Sequence, residues 1–325
     1  MEWIFGPGSV GVSFFFILSG FVLTWSARPH DTAGRFWRRR IAKIYPNHAV
    51  TGIAALTVAA LTGAGLSAAV VVPNLLLLQA WSPDIRVFFG LNTVSWSLAC
   101  EAFFYACFPL LHRALIRLPG NRLWPAAVAT LGLVWLVPVA AQLLPSADRY
   151  WAVWILPLAR LPEFVAGMVL ARIVQSGRWP AVRLWPIATL TVAVYLSSRW
   201  LAEDFRLIAG TAAPLALLVA AVGAADAAGR RTPWAAGWAV RLGEISFAFY
   251  LVHLLVLRLF IRATGIDHPA PIGVAMALGA LALATAGSWL LHRGVELPGV
   301  RLFGGRRHSA QRQVRRAAPE QAGGA

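Results

Sequence analysis

Residues 8–26 read GSVGVSFFFILSGFVLTWS, a run without one ionisable side chain. At about 1.5 Å per residue a helix of that length covers nearly 30 Å, the thickness of a bilayer's hydrocarbon core. A basic belt follows at once: Arg28, Arg35, Arg38, Arg39, Arg40 and Lys43, opposed by Asp31 alone. A crossing segment that ends in clustered arginine sets its own orientation. The basic end stays in the cytoplasm, so the N-terminus points outward.

The rest of the chain repeats this alternation. Of its 325 residues, 58% are hydrophobic and 13% charged, against about a quarter charged in soluble domains. Mean hydropathy is +0.65. Further apolar spans are expected at 44–63, 94–115, 124–144, 151–174, 184–201, 207–228, 245–263 and 272–292, and the inner ends carry arginine. The stretch 66–82, interrupted by Pro73 and Asn74, reads as an outer-face or re-entrant segment. The expectation is an all-α polytopic bundle of about nine spans. Its N-terminus is outside, its membrane domain covers 1–300, and a basic disordered cytoplasmic tail occupies 301–325. The net charge of +16 would point to nucleic acid in a soluble chain, but here the arginines sit at the ends of apolar runs. Nucleic acid is therefore not an expected partner, whereas membrane lipid is. Cys100 and Cys107, seven apart on one helix, lie about 10 Å from each other, too far for a disulfide. No cleavable signal peptide is visible, and no cluster of metal-ligating residues stands out.

Ionisable groups inside apolar spans are costly, which makes each a candidate site. The densest case is Ser95-Trp96-Ser97-Leu98-Ala99-Cys100-Glu101, which sets Glu101 about 10 Å below the outer surface. Paired with an arginine, Glu101 is structural; protonated or beside a histidine, it is an acid/base group, and both readings stay open. Arg160 and Glu163, three apart between Pro157 and Pro162, read first as an internal ion pair beside a kink. Ser246, Tyr250 and His253 fall on one helical stripe, where a neutral His253 bonded to Tyr250 is the simpler reading and catalysis the sharper one. Arg40 and Lys43, one turn apart before Tyr45-Pro46, serve as topology signals or as a phosphate grip. Ser19-Gly20 reads as helix packing.

Taken together, the chain resembles the acyltransferase 3 family of multi-pass membrane acyltransferases. The resemblance rests on blocks in order: residues 11–21 (GVSFFFILSGF), 40–46 (RIAKIYP), Ser95-Trp96-Ser97-Leu98 with Glu101, 160–164 (RLPEF) with Gly167, Ile245-Ser246-Phe247 with Tyr250 and His253, and Glu296-Leu297-Pro298. It implies about ten transmembrane helices and a bacterial plasma-membrane location. It implies an acyl-coenzyme A co-substrate, with no bound cofactor, and transfer of an acyl group, acetyl in the first instance. The implied acceptor is a hydroxyl of a cell-surface carbohydrate, a lipid or a secondary metabolite. The family's Arg-x-x-Arg element maps onto Arg40 and Lys43, and lysine keeps the charge without the bidentate fork. Arg40, Lys43 and Tyr45 are thus the expected donor-binding residues. The family's first helix, with an arginine and, eleven residues on, the histidine taken as base, has no counterpart here. The natural protein is accordingly expected to carry a further helix upstream.

Transfer from a thioester to an alcohol needs a base and an oxyanion donor. Glu101 and His253 are the remaining candidates for the catalytic role. Ser19, Ser95, Trp96, Ser97, Arg160, Glu163, Ser246 and Tyr250 are the expected pocket. Two other classes compete: a catalytically inactive binding or assembly subunit, and a transporter, which the missing inverted repeats count against.

Overall fold

The computed structural model describes residues 9–28, 31–63, 65–230, 232–265 and 268–303. Residues 304–325 of the expected tail lie outside the described residues, as does Gly8, the first residue of the opening apolar run. Among the described residues there is no strand. Eleven helices of seven or more residues follow in order: α1 (Ser9–Trp25), α2 (Ala33–Leu61), α3 (Ala68–Leu75), α4 (Ser95–Arg117), α5 (Leu123–Ala141), α6 (Pro157–Gln175), α7 (Leu184–Ser197), α8 (Ala209–Ala227), α9 (Gly237–Thr264), α10 (Ala270–Leu291) and α11 (Leu297–Phe303).

Among the described residues, seven helical stretches are long and apolar enough to cross a membrane: Ala33–Leu61, Ser95–Arg117, Gly120–Ala141, Ser146–Gln175, Glu203–Ala227, Gly237–Thr264 and Ala270–Phe303. The two other expected spans are helical but shorter, α1 with 17 residues and α7 with 14. Large apolar side chains such as Leu110, Val128, Leu133, Val274 and Leu290 stand exposed, as hydrocarbon requires of a protein it dissolves. The chain is a membrane protein. The segment 66–82 holds α3, whose 8 residues span about 12 Å, and a short turn at Gln79–Trp81, together far short of a crossing.

One boundary moves. The belt from Arg35 to Lys43 forms the opening turns of the second span's helix, because α2 starts at Ala33, capped by the Thr32 hydroxyl accepting from Arg35 N at 3.3 Å. Arginine is a strong helix former, so nothing in the belt stops the helix once it is capped.

The described residues fall into two compact units interleaved along the chain, one drawn from Met1–His30 and Leu66–Arg241, the other from Asp31–Gly65 and Leu242–Ala325. In the first unit α1 packs along α6, with α4, α5 and α8 around α6 and α7 on α8. Two glycines set that crossing. A Cβ on Gly20 would run into the Phe164 carbonyl, and one on Gly167 into the Ile17 carbonyl. The backbones meet directly, the close approach that small residues permit between helices in lipid. Phe16, Phe104 and Phe164, all fully buried, fill the space beside them, Phe104 lying 5.0 Å from each of the other two rings. In the second unit α11 and the turn before it pack on α2, and Gly287 and Gly279 of α10 face Val252 and Phe260 of α9.

Two π-helical turns interrupt the helices, at Trp151–Ile155 and His292–Glu296. The first ends at Leu156, where the backbone turns extended because Pro157 follows. The Cys100 thiol donates to the Ile155 carbonyl there at 3.3 Å. Such turns collect at functional places, and each of these two stands beside a buried polar cluster.

Candidate active site

In the first unit the spacing of α1 decides what meets. Ser13, Phe16 and Ser19 recur every three residues and form one face. Ser19 Oγ donates to Glu101 Oε1 at 2.8 Å, and the Tyr105 hydroxyl, one turn along α4 from Glu101, donates to the same oxygen. Glu101 is 3% exposed. It is a buried carboxylate held by hydroxyls from two helices. A hydroxyl is a neutral partner, so this arrangement leaves the carboxylate able to exchange a proton or orient an alcohol in its place.

About 9 Å along α1, on the same face, Ser13 meets a different group. Arg160 NH2 donates to Ser13 Oγ at 3.0 Å, and Arg160 Nε lies 2.9 Å from Glu163 Oε2. The guanidinium sits over the Trp154 ring at 4.5 Å and the Phe16 ring at 5.2 Å. Arginine and glutamate side chains are 0% and 1% exposed. This closed pair matches the internal ion pair read from the spacing. Its charges are spent on each other and on enclosing rings, so its chemistry is to lock α6 against α1. Trp96 stacks obliquely on Trp154 at 5.1 Å and so backs that cage.

The two serines beside Trp96 serve locally. Gln79 Nε2 donates to Ser95 O and Ser95 Oγ at 3.0 and 3.1 Å, tying the start of α4 to the turn at Gln79–Trp81. Ser97 Oγ donates to Val94 O at 3.0 Å.

In the second unit Arg40, Lys43 and Tyr45 lie on α2. Arg40 stacks over Phe36 at 5.5 Å, and Tyr45 is exposed. Lys43 Nζ lies 2.7 Å from Glu296 Oε1, whose other oxygen accepts from Asn47 Nδ2 at 3.0 Å and lies 3.2 Å from His292 Nδ1. The stripe Ser246–Tyr250–His253 is only loosely assembled. Ser246, exposed, donates to Gly243 O at 2.8 Å on its own helix. Tyr250 and His253 rings are 5.8 Å apart, but His253 Nδ1 takes the Phe249 carbonyl at 3.1 Å in place of the expected bond to Tyr250. A carbonyl only accepts, so Nδ1 carries a proton and the neutral ring keeps its lone pair on Nε2.

Sequence reasoning passed over Ser13, Tyr105, Trp154, Asn47, His292 and Glu296. Tyr105 was legible as the residue one turn after Glu101, and Glu296 stood in the quoted Glu-Leu-Pro block. Ser13 and Trp154 carry no signal until α1 and α6 are packed. Outside the spans, the Asp84 carboxyl is held below its ordinary range chiefly by the hydrogen bond from the Arg86 side chain. Among the described residues no group of three or more His, Cys, Asp or Glu could hold a metal ion.

Comparison with known proteins gives this arrangement a context. Residues 2–293 match the acyltransferase domain of the acyltransferase 3 family. The chain is 41% identical over 322 residues to acyltransferase MdmB of Streptomyces mycarofaciens, covering 92% of this chain and 83% of that one. It is 26% identical over 288 residues to the exopolysaccharide production protein ExoZ of Rhizobium meliloti (strain 1021), with 85% and 86% covered. It is 27% identical over 335 residues to nodulation protein 10 of Rhizobium leguminosarum bv. viciae, with 92% and 85% covered. No solved structure matches. A buried carboxylate between two hydroxyl donors, in a membrane chain matched nearly end to end by this domain, belongs to an acyl-transferring enzyme of the acyltransferase 3 family.

Proposed function

We propose that the enzyme moves an acyl group, acetyl in the first instance, from acyl-coenzyme A to a hydroxyl of a cell-surface carbohydrate, a lipid or a secondary metabolite. The observation that carries this reading is Glu101, a carboxylate 3% exposed in a membrane helix and held by Ser19 and Tyr105. Each unit offers its own candidate for the proton transfer, Glu101 in the first and His253 in the second, and the two are alternatives. The base takes the alcohol proton as the acceptor oxygen bonds to the thioester carbon. The carbon–sulfur bond then breaks, and the thiolate leaves as coenzyme A. The relative named for exopolysaccharide production supports a carbohydrate among the acceptors. Arg40, Lys43 and Tyr45 on α2 are the proposed donor-binding residues, with Ser95, Trp96, Ser97, Arg160, Glu163, Ser246 and Tyr250 as supporting groups.

On this reading the donor side faces the cytoplasm of a bacterial plasma membrane, and the arginine-rich helix ends support it. There are then about nine crossings, the start of α1 is outside and the C-terminus is cytoplasmic. The test uses purified protein in detergent with radiolabelled acetyl-coenzyme A and a panel of hydroxyl acceptors. Wild type is expected to release coenzyme A in step with acceptor labelling, and Glu101→Ala to abolish both. Unchanged transfer in Glu101→Ala would sink the assignment of Glu101. A wild type that consumes no acyl-coenzyme A with any acceptor would sink the donor.

A further inference from the structure

Among the described residues, Glu163 and Glu296 are sealed carboxylates each paired with a cation, and the two pairs differ in one respect. In Arg160–Glu163 both side chains are sealed, at 0% and 1% exposure. In Lys43–Glu296 the carboxylate is sealed at 1% but the lysine side chain is 46% exposed. The second pair is closed at the back and open at the front.

The back is fully built. Glu296 Oε1 holds Lys43 Nζ at 2.7 Å, and Oε2 faces Asn47 Nδ2 at 3.0 Å and His292 Nδ1 at 3.2 Å. Lys43 and Asn47 stand one turn apart on α2, and His292 and Glu296 bound the π-helical turn before α11. Gly299 fixes the register between the two elements. A Cβ there would come within 3.0 Å of Pro46 Cγ and 3.4 Å of the Ala42 carbonyl, so α11 lies flush against α2. One ammonium N–H is committed to Glu296. A lysine ammonium has three N–H donors, and an unrestrained lysine stem has many rotamers to lose on binding an anion.

We propose that Glu296 is a positioning residue for the donor: it anchors the Lys43 ammonium from behind, so that its remaining N–H groups face the phosphates of acyl-coenzyme A. The inference rests on the reading of α2 as the donor-binding helix. It supplies what a lysine lacks beside an arginine, a defined direction. Because Glu296 cancels the charge of Lys43, and Asp31 that of Arg39, the attraction of the site comes from Arg35, Arg38 and Arg40, and Lys43 adds geometry.

That division makes an unusual prediction. Glu296→Gln removes a negative charge near a polyanion, so simple Coulomb attraction predicts a lower KM for acetyl-coenzyme A. Loss of positioning predicts a higher one. The experiment measures kcat and KM for acetyl-coenzyme A in purified full-length wild type, Glu296→Gln, Lys43→Met and the double variant, with thermal unfolding alongside. The expected result is a KM raised about 10- to 100-fold in Glu296→Gln, the worth of one charge-assisted hydrogen bond, at a nearly unchanged kcat. In the Lys43→Met background the second substitution should add nothing further. Glu296→Asp keeps the charge but shortens the reach, and should raise KM without lowering the unfolding temperature; it carries the test where Glu296→Gln does not fold. A KM that falls or holds, a loss confined to kcat, or single effects that multiply in the double variant would overturn the inference while leaving acyl-coenzyme A as donor. A wild type that turns over no acetyl-coenzyme A would remove the donor reading, and the inference with it.

Discussion

Replacing Glu163 with leucine strips one partner from the most enclosed charge in the first unit. Arg160 would keep Ser13 at 3.0 Å and the rings of Trp154 and Phe16, but lose the carboxylate at 2.9 Å. Cation–π contact in a desolvated site is worth about 2 kcal/mol, too little to replace a counter-ion. Breaking a buried pair by removing one member costs about 3–5 kcal/mol, because the surviving charge stays buried uncompensated. At roughly 2–4 °C per kcal/mol for a unit of this size, Glu163→Leu should unfold about 6–20 °C below wild type. Arg160→Met with Glu163→Leu removes both charges and fills similar volume, and apolar replacement of a whole buried pair is often neutral or stabilising. The double variant should therefore recover most of the loss. Thermal unfolding in detergent, followed by tryptophan fluorescence, reads both; Trp154 lies against the guanidinium and reports on the cage itself. A Glu163→Leu protein within about 1 kcal/mol of wild type, or a double variant no more stable than the single one, would refute the reading that this pair locks α6 against α1. Acyl transfer retained in the double variant would separate locking the helices from serving the reaction.

Further outcomes follow from other contacts. Gly20→Ala and Gly167→Ala drive a methyl into a facing carbonyl and should each cost about 1–3 kcal/mol, while Gly132→Ala, with nothing within 4 Å, should gain about 0.5–1 kcal/mol from helix propensity; unfolding midpoints compare the three. Ser19→Ala and Tyr105→Phe each remove one donor from Glu101 Oε1 at about 1–3 kcal/mol, and because they share one acceptor oxygen their double-variant cycle should depart from additivity. The Asp84 carboxyl is depressed mainly by the Arg86 hydrogen bond, so its cap on the turn at Ile85–Phe88 is present above the ordinary aspartate value and lost as pH falls through the lower folded one. Amide exchange at residues 86–88 should accelerate across that window, and Asp84→Asn should remove the pH dependence.

How much of this was open to reading differs by element. The lipid-crossing character was legible because apolar length and flanking arginine act locally: a segment needs no partner to satisfy its backbone in hydrocarbon. All nine expected segments are helical, and 66–82 falls short of a crossing. α2 starts at Ala33, ahead of the apolar span expected from 44, because the arginines that precede that span also make good helix. The Arg160–Glu163 pair was legible from a spacing of three, since one helix brings both ends together. His253 was read towards Tyr250, yet its Nδ1 takes the carbonyl one turn back, which every helix offers.

The chain's order of residues thus determined by itself that it lives in lipid, where its helices lie, which polar groups stand inside them, and which family it resembles. Only tertiary structure decided their partners. Ser19 meets Glu101 across 82 positions, Ser13 meets Arg160 across 147, and Asn47 meets Glu296 across 249. Such pairings come from glycines that let backbones touch and from π-helical turns that re-aim side chains, and both act through the neighbouring helix. A helix's own periodicity says which residues share a face, and nothing about the face it will be laid against.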